Sequence, residues 1–136
     1  MTAGLLAMGA MANGVVQGQY TEAQAAAGAE IYRQNCSGCH QPDLAGQNEA
    51  LPLVGSSFMS TWRDRSIADL YTLTRGTMPR GAPRSLSNDA YAQLVAYMLQ
   101  ANGAPSGAQP LDPTSATRIG TVATGRRPVT LAQAPA

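Results

Sequence analysis

The chain has 136 residues, the size of one domain and short of two. Apolar residues make up 44% of it, but 24 of them are alanine, so the inventory of large core-forming side chains is thin. Nine Arg and no Lys face eight acids, and a net charge of +1 supplies no long-range field for nucleic acid or an anionic membrane surface. No run of about 18 uninterrupted apolar residues exists to span a membrane. With two Cys and one His, a zinc cage built from those ligands is excluded as well.

Residues 1–19 carry no charge and consist largely of Met, Ala, Gly, Leu and Val. Leu5-Leu6-Ala7-Met8 resembles the apolar part of a secretory signal, and Ala10-Met11-Ala12 would serve as its small-x-small cleavage site. The positively charged start of a signal is missing, so a disordered, Gly-interrupted leader is the competing reading. Neither places this segment in the fold. Residues 20–104 form the candidate domain, with six Arg against seven acids.

Three helices can be placed in that domain. Thr21 with Gln24 makes a capping box, followed by Ala27, Gly28, Ile31 and Tyr32 on one face. Ser66 with Asp69 repeats the pattern ahead of Ile67, Leu70, Tyr71 and Thr74, and Gly76 is expected to end that helix in a left-handed turn. Ser87 caps the third, Asp89 sits in its positive first turn, and Tyr91, Leu94, Val95 and Met98 form its stripe up to Gly103. No segment alternates with period two, so the expected class is all-α, with loops at 41–65 and 77–86. Residues 105–136 hold five of the nine prolines and no apolar period. They read as a linker or disordered tail whose removal would leave the domain's stability unchanged.

A domain this loop-rich holds only 24 large apolar residues over 85 positions and needs something extra to be stable. Cys36-Ser37-Gly38-Cys39-His40 points to what that is. The C-x-x-C-H spacing is the attachment pattern of a c-type haem, whose two vinyl groups both thiols can reach, with the adjacent imidazole beneath the iron. A thioredoxin-like pair would belong on a βαβ frame that this chain lacks, and a zinc site would lack its fourth ligand. One motif implies one covalent haem per chain. With a single His, a bis-histidine iron is impossible, so the sixth position must be Met, water or empty. Met98 falls on a helix stripe and reads as core. Met59 and Met78 fall in loops, and Met78 is favoured because Pro79 fixes the next dihedral and biases Met78 to an extended conformation.

From about residue 22 to 103 the chain resembles the class I cytochromes c. Gly28 and Tyr32 look like the Gly and aromatic of that family's N-terminal helix, and Cys36, Cys39 and His40 match its haem-binding motif. Pro52, in Leu51-Pro52-Leu53-Val54-Gly55, resembles the loop proline whose carbonyl accepts the proximal histidine's proton. Gly76-Thr77-Met78-Pro79 resembles the segment that delivers the distal methionine, while Leu94 and Tyr97 fall where the C-terminal helix crosses the first.

The resemblance implies the cytochrome c fold, three main helices and long loops around one haem, with His40 and Met78 on the iron. It implies electron transfer between redox proteins, with no small-molecule substrate, and a periplasmic or otherwise exported location. A soft thioether favours ferrous iron, and two strong axial ligands leave no position for oxygen. A dehydrogenase would be the donor, and an oxidase or another cytochrome the acceptor. Ala96 to Gly103 followed by a Pro-rich tail is similar to cytochromes that partner, or are fused to, quinoprotein alcohol dehydrogenases.

Five Arg fall between residues 63 and 84, opposed only by Asp64 and Asp69. One or two of them, Arg80 among the candidates, would bind the haem propionates together with the Trp62 indole N–H. The alternatives are a solvated Arg face and a Trp62 that merely fills the core. Two rival functions remain: a haem enzyme or ligand-binding sensor with a labile sixth position, and an interaction domain carrying a free thiol pair.

Overall fold

In a computed structural model, the structure describes residues 18–127. Five α-helices follow in order: α1 Glu22–Asn35, α2 Ser37–His40, α3 Gly55–Trp62, α4 Ile67–Thr77 and α5 Asn88–Ala101, with a 3-10 turn at Ile119–Thr121. Among the described residues there is no strand beyond two isolated bridges, so the class is all-α.

Local signals start the long helices. At α1 the Thr21 hydroxyl accepts from the Gln24 N–H while the Gln24 side chain accepts from the Thr21 N–H. Ser66 and Asp69 do the same for α4, and Ser87 caps α5 by accepting from the Ala90 N–H. These bonds satisfy N–H groups that the first turn leaves without partners. Helices α1 and α5 then cross closely. Gly28 makes that approach possible, since a Cβ there would lie 1.9 Å from the Gln93 carbonyl oxygen. Beside the crossing, the Tyr32 and Tyr97 rings meet at 5.4 Å between centroids.

Several expectations need correction. The loop assigned to 41–65 contains α3, whose N-cap residue Val54 makes no side-chain cap and gives no sequence signal. Its inward residues Phe58, Met59 and Trp62 are buried, so Met59 belongs to a helix and not to a loop. Gly76 lies within α4 at negative φ, and Met78 is the capping residue. Gly103 does end α5 in the left-handed region, at φ +92°.

The largest correction concerns the tail. Residues 105–127 pack on the domain and are not an extended linker. Leu111, Ile119, Val122 and Ala123 are buried. The Gly107 N–H donates to the Tyr20 carbonyl and the Leu111 N–H to the Gln24 side chain. Farther on, the Ser115 and Thr117 carbonyls accept from the Ala68 and Ile67 N–H groups, capping the first turn of α4 from outside. The Ile119 and Gly120 N–H groups donate to the Arg65 and Arg63 carbonyls, and Arg127 reaches the Asp43 carbonyl at 3.1 Å. An irregular segment can bury apolar residues singly, with no period to betray it. The leader expectation, apart from Gly18 and Gln19, lies outside the described residues, as do residues 128–136.

Candidate haem-binding site

The short helix α2 follows α1 after a bend at Cys36, whose φ of −128° leaves the helical range. One turn then sets Cys36 and Cys39 three apart, on the same side, with His40 closing the turn through its N–H to the Cys36 carbonyl at 2.9 Å. Cys36 is partly buried and Cys39 exposed, and no disulfide joins them. Burial pushes the Cys36 thiol up to about 11, opposite to the lowered value of a redox-active pair.

His40 Nδ1 lies 2.8 Å from the Leu51 carbonyl oxygen. A carbonyl can only accept, so Nδ1 carries the proton and the Nε2 lone pair is left for a metal. The expected acceptor, the Pro52 carbonyl, is therefore corrected by one residue. Pro52 bears on the residue before it: its ring disfavours the helical region for Leu51, whose carbonyl meets His40. This loop is held in turn by Leu53 N–H to the Leu44 carbonyl at 2.8 Å and by Gly46 N–H to the His40 carbonyl at 2.9 Å.

Opposite, Met78 ends α4 in an extended conformation, φ −125° and ψ 151°. Its N–H bonds the Thr74 carbonyl, and its carbonyl accepts from the buried Tyr91 hydroxyl at 2.7 Å. Between these two sides lies a cavity of about 1110 Å³. This is slightly above the roughly 300–1,000 Å³ typical of small-molecule sites.

The seven residues expected to hold the haem all line that cavity: Cys36, Cys39, His40, Pro52, Trp62, Met78 and Arg80. Met98 also lines it, from α5. Met59 does not, and instead packs under Gly125 of the tail. Of the five clustered Arg, only Arg65 and Arg80 reach it. Arg65 stacks over the Trp62 ring at 4.6 Å, and Arg80 sits 3.4 Å from Glu49 at the exposed rim. Arg63 instead turns back to the Met59 carbonyl, and Arg75 to Asn88.

The donor set suits a large planar apolar group carrying a soft-ligand metal. Leu51 and Leu73, the exposed large apolar side chains among the described residues, both line the cavity. Such side chains gain when an apolar face covers them. Two thiols, an imidazole whose Nδ1 is committed to a carbonyl, and a thioether are all on its walls. Among the described residues no three His, Cys, Asp or Glu side chains converge as a metal cluster. No helix there is long and apolar enough to cross a membrane.

Sequence reasoning missed Leu51, Tyr91 and Asn102 as parts of the site. A pre-proline position was the one available signal for Leu51, whereas Tyr91 and Asn102 act through contacts distant in sequence.

Comparison with known proteins gives a consistent picture. The model of the family described as cytochrome c oxidase, cbb3-type, subunit III matches residues 23–98. Cytochrome c-551 of Bacillus subtilis (strain 168) is 36% identical over 83 residues, covering 60% of this chain and 67% of that protein. The crystal structure of the sulfane dehydrogenase SoxCD from Paracoccus pantotrophus aligns with a TM-score of 0.55 at 20% identity. That alignment covers 82% of this chain and 57% of the SoxCD chain, and it speaks for the fold alone.

Proposed function

Since this chain belongs to the cytochrome c family, an electron carrier with covalently bound haem c, we propose that its iron is held by His40 and Met78 and serves redox proteins outside the cytoplasm. When bound, the haem supplies a one-electron ferric–ferrous couple. What the chain itself does is hold, orient and shield. Cys36 and Cys39 would hold the haem through thioether bonds to its two vinyl groups. His40 offers Nε2 because Leu51 takes the Nδ1 proton. Met78 offers a soft sulfur that favours the ferrous state. Trp62, with Arg65 or Arg80, would bind the propionates.

The observation that carries this reading is the 2.8 Å contact from His40 Nδ1 to the Leu51 carbonyl, on a cavity whose other wall presents Met78. It gives a neutral imidazole one fixed tautomer, which is what a haem ligand requires. The redox partners follow from the closed coordination, which leaves no position for a substrate. We read a dehydrogenase as donor and an oxidase or second cytochrome as acceptor. Haem attachment of this kind supports a location in the periplasm or an equivalent exported space.

The test uses the purified holoprotein. After denaturation it should keep one haem per chain, and its ferric form should show the weak near-infrared band of a sulfur–iron bond. Met78→Ala should abolish that band, admit carbon monoxide and lower the reduction potential, while Met59→Leu should leave all three unchanged. Carbon monoxide binding by the unmutated protein would overturn Met78 as ligand.

A further inference from the structure

Asn102 is a fully buried polar residue, at 0% exposure, and it lies outside the set of presumed haem contacts. Its side chain is nonetheless fully used. Oδ1 accepts from the Gly55 N–H at 3.0 Å, and Nδ2 donates to the Leu53 and Met98 carbonyls, both at 2.9 Å. Leu53 and Gly55 close the loop that begins at Leu51, while Met98 lies on a cavity-lining turn of α5. From behind, the Asn102 carbonyl accepts the Thr124 and Gly125 N–H groups of the tail, each at 2.9 Å. One residue thus joins three parts of the fold: its side-chain amide ties α5 to the 51–55 loop, and its backbone carbonyl holds the tail.

We infer that Asn102 is a positioning residue for the proximal ligand: by clamping Leu53 and Gly55 to the end of α5 it fixes the Leu51 carbonyl that orients His40. This rests on His40 as the iron's ligand. The chain of contacts is short. Leu51 stands two residues from Leu53, and Pro52 between them has a fixed φ, so displacement at Leu53 passes to the Leu51 carbonyl with little slack. The buried amide satisfies three backbone groups at once, so an apolar replacement releases the loop by leaving the Gly55 N–H and the Leu53 carbonyl without partners.

The expected consequence has a sign. A firm Nδ1–H bond to a carbonyl makes an imidazole a more basic ligand, which favours ferric iron. Loosening the loop weakens that bond, so the reduction potential should rise.

The experiment compares wild-type holoprotein, Asn102→Leu and Leu111→Ala by redox titration, thermal unfolding and amide exchange. Asn102→Leu should raise the potential and speed exchange at the Gly55 amide. Leu111→Ala should lower the thermal midpoint with no change in potential, since Leu111 is buried in the tail and does not line the cavity. If Asn102→Leu yields no folded protein, Asn102→Ser is measured in the same way. An unchanged or lowered potential in the Asn102 variant overturns the inference. Wild-type protein that releases its haem on denaturation would instead overturn the haem reading itself, so the two failures are distinguishable.

Discussion

The two sides of the cavity are held in different ways. On the His40 side, the loop is tied from three directions: to Leu44 within itself, to α5 through Asn102, and to the tail through the Arg127 bond at Asp43. On the Met78 side, residues 80–85 are exposed and α4 hands over to a short turn. There the Tyr91 hydroxyl is the one buried side-chain anchor on the Met78 backbone among the described residues. The contrast teaches that the hard part of the site is the imidazole's orientation, which needs a fixed carbonyl. A thioether on a flexible side chain needs only to be delivered within reach.

Three changes would break or sharpen that contrast. The largest effect should come from truncation after Pro110, which removes the buried Leu111 and Ile119 and the outer cap of α4. Burial of those two side chains alone accounts for about 3–6 kcal/mol, so chemical denaturation should show a much lower midpoint. A midpoint like that of the full chain would show that the tail only rests on the surface.

Next comes Tyr91→Phe, which leaves the Met78 carbonyl without its donor. The cost should be about 1–3 kcal/mol. Carbon monoxide should enter the ferrous protein faster, while the proximal side, followed through exchange at the Gly55 amide, stays as it was. Equal loosening of both sides would erase the distinction.

The smallest effect is alkaline. Burial, with a lesser contribution from Glu22, pushes the Tyr20 hydroxyl up to about 12. That hydroxyl donates to the Ala104 carbonyl at 2.5 Å, next to Asn102 and Gly103. Unfolded tyrosine ionises near pH 10, so its contribution is whole below about pH 10 and is lost as pH climbs toward 12. Burial raises Tyr32 in the same direction. Tyr20→Phe should flatten part of the alkaline fall in stability, and an unchanged pH profile would remove Tyr20 from this account.

Much of the site was legible in the sequence because the informative signals are local. C-x-x-C-H is a covalent spacing, Ser66 and Asp69 cap within one turn, and Met78 stands next to a proline. Helix α3 was hidden because Gly55 to Trp62 is short and uncapped. The tail was hidden because it buries Leu111, Ile119 and Val122 without a repeat.

By itself, then, the sequence determined the haem attachment motif, the three capped helices and the single His. Those depend on neighbours within about four positions, where geometry is dictated by the chain. Only the tertiary structure decided that Leu51, and not Pro52, receives the His40 proton, and that Asn102 ties loop, helix and tail together. Every backbone carbonyl is chemically alike, so which one meets a given N–H depends on where the folded chain brings it.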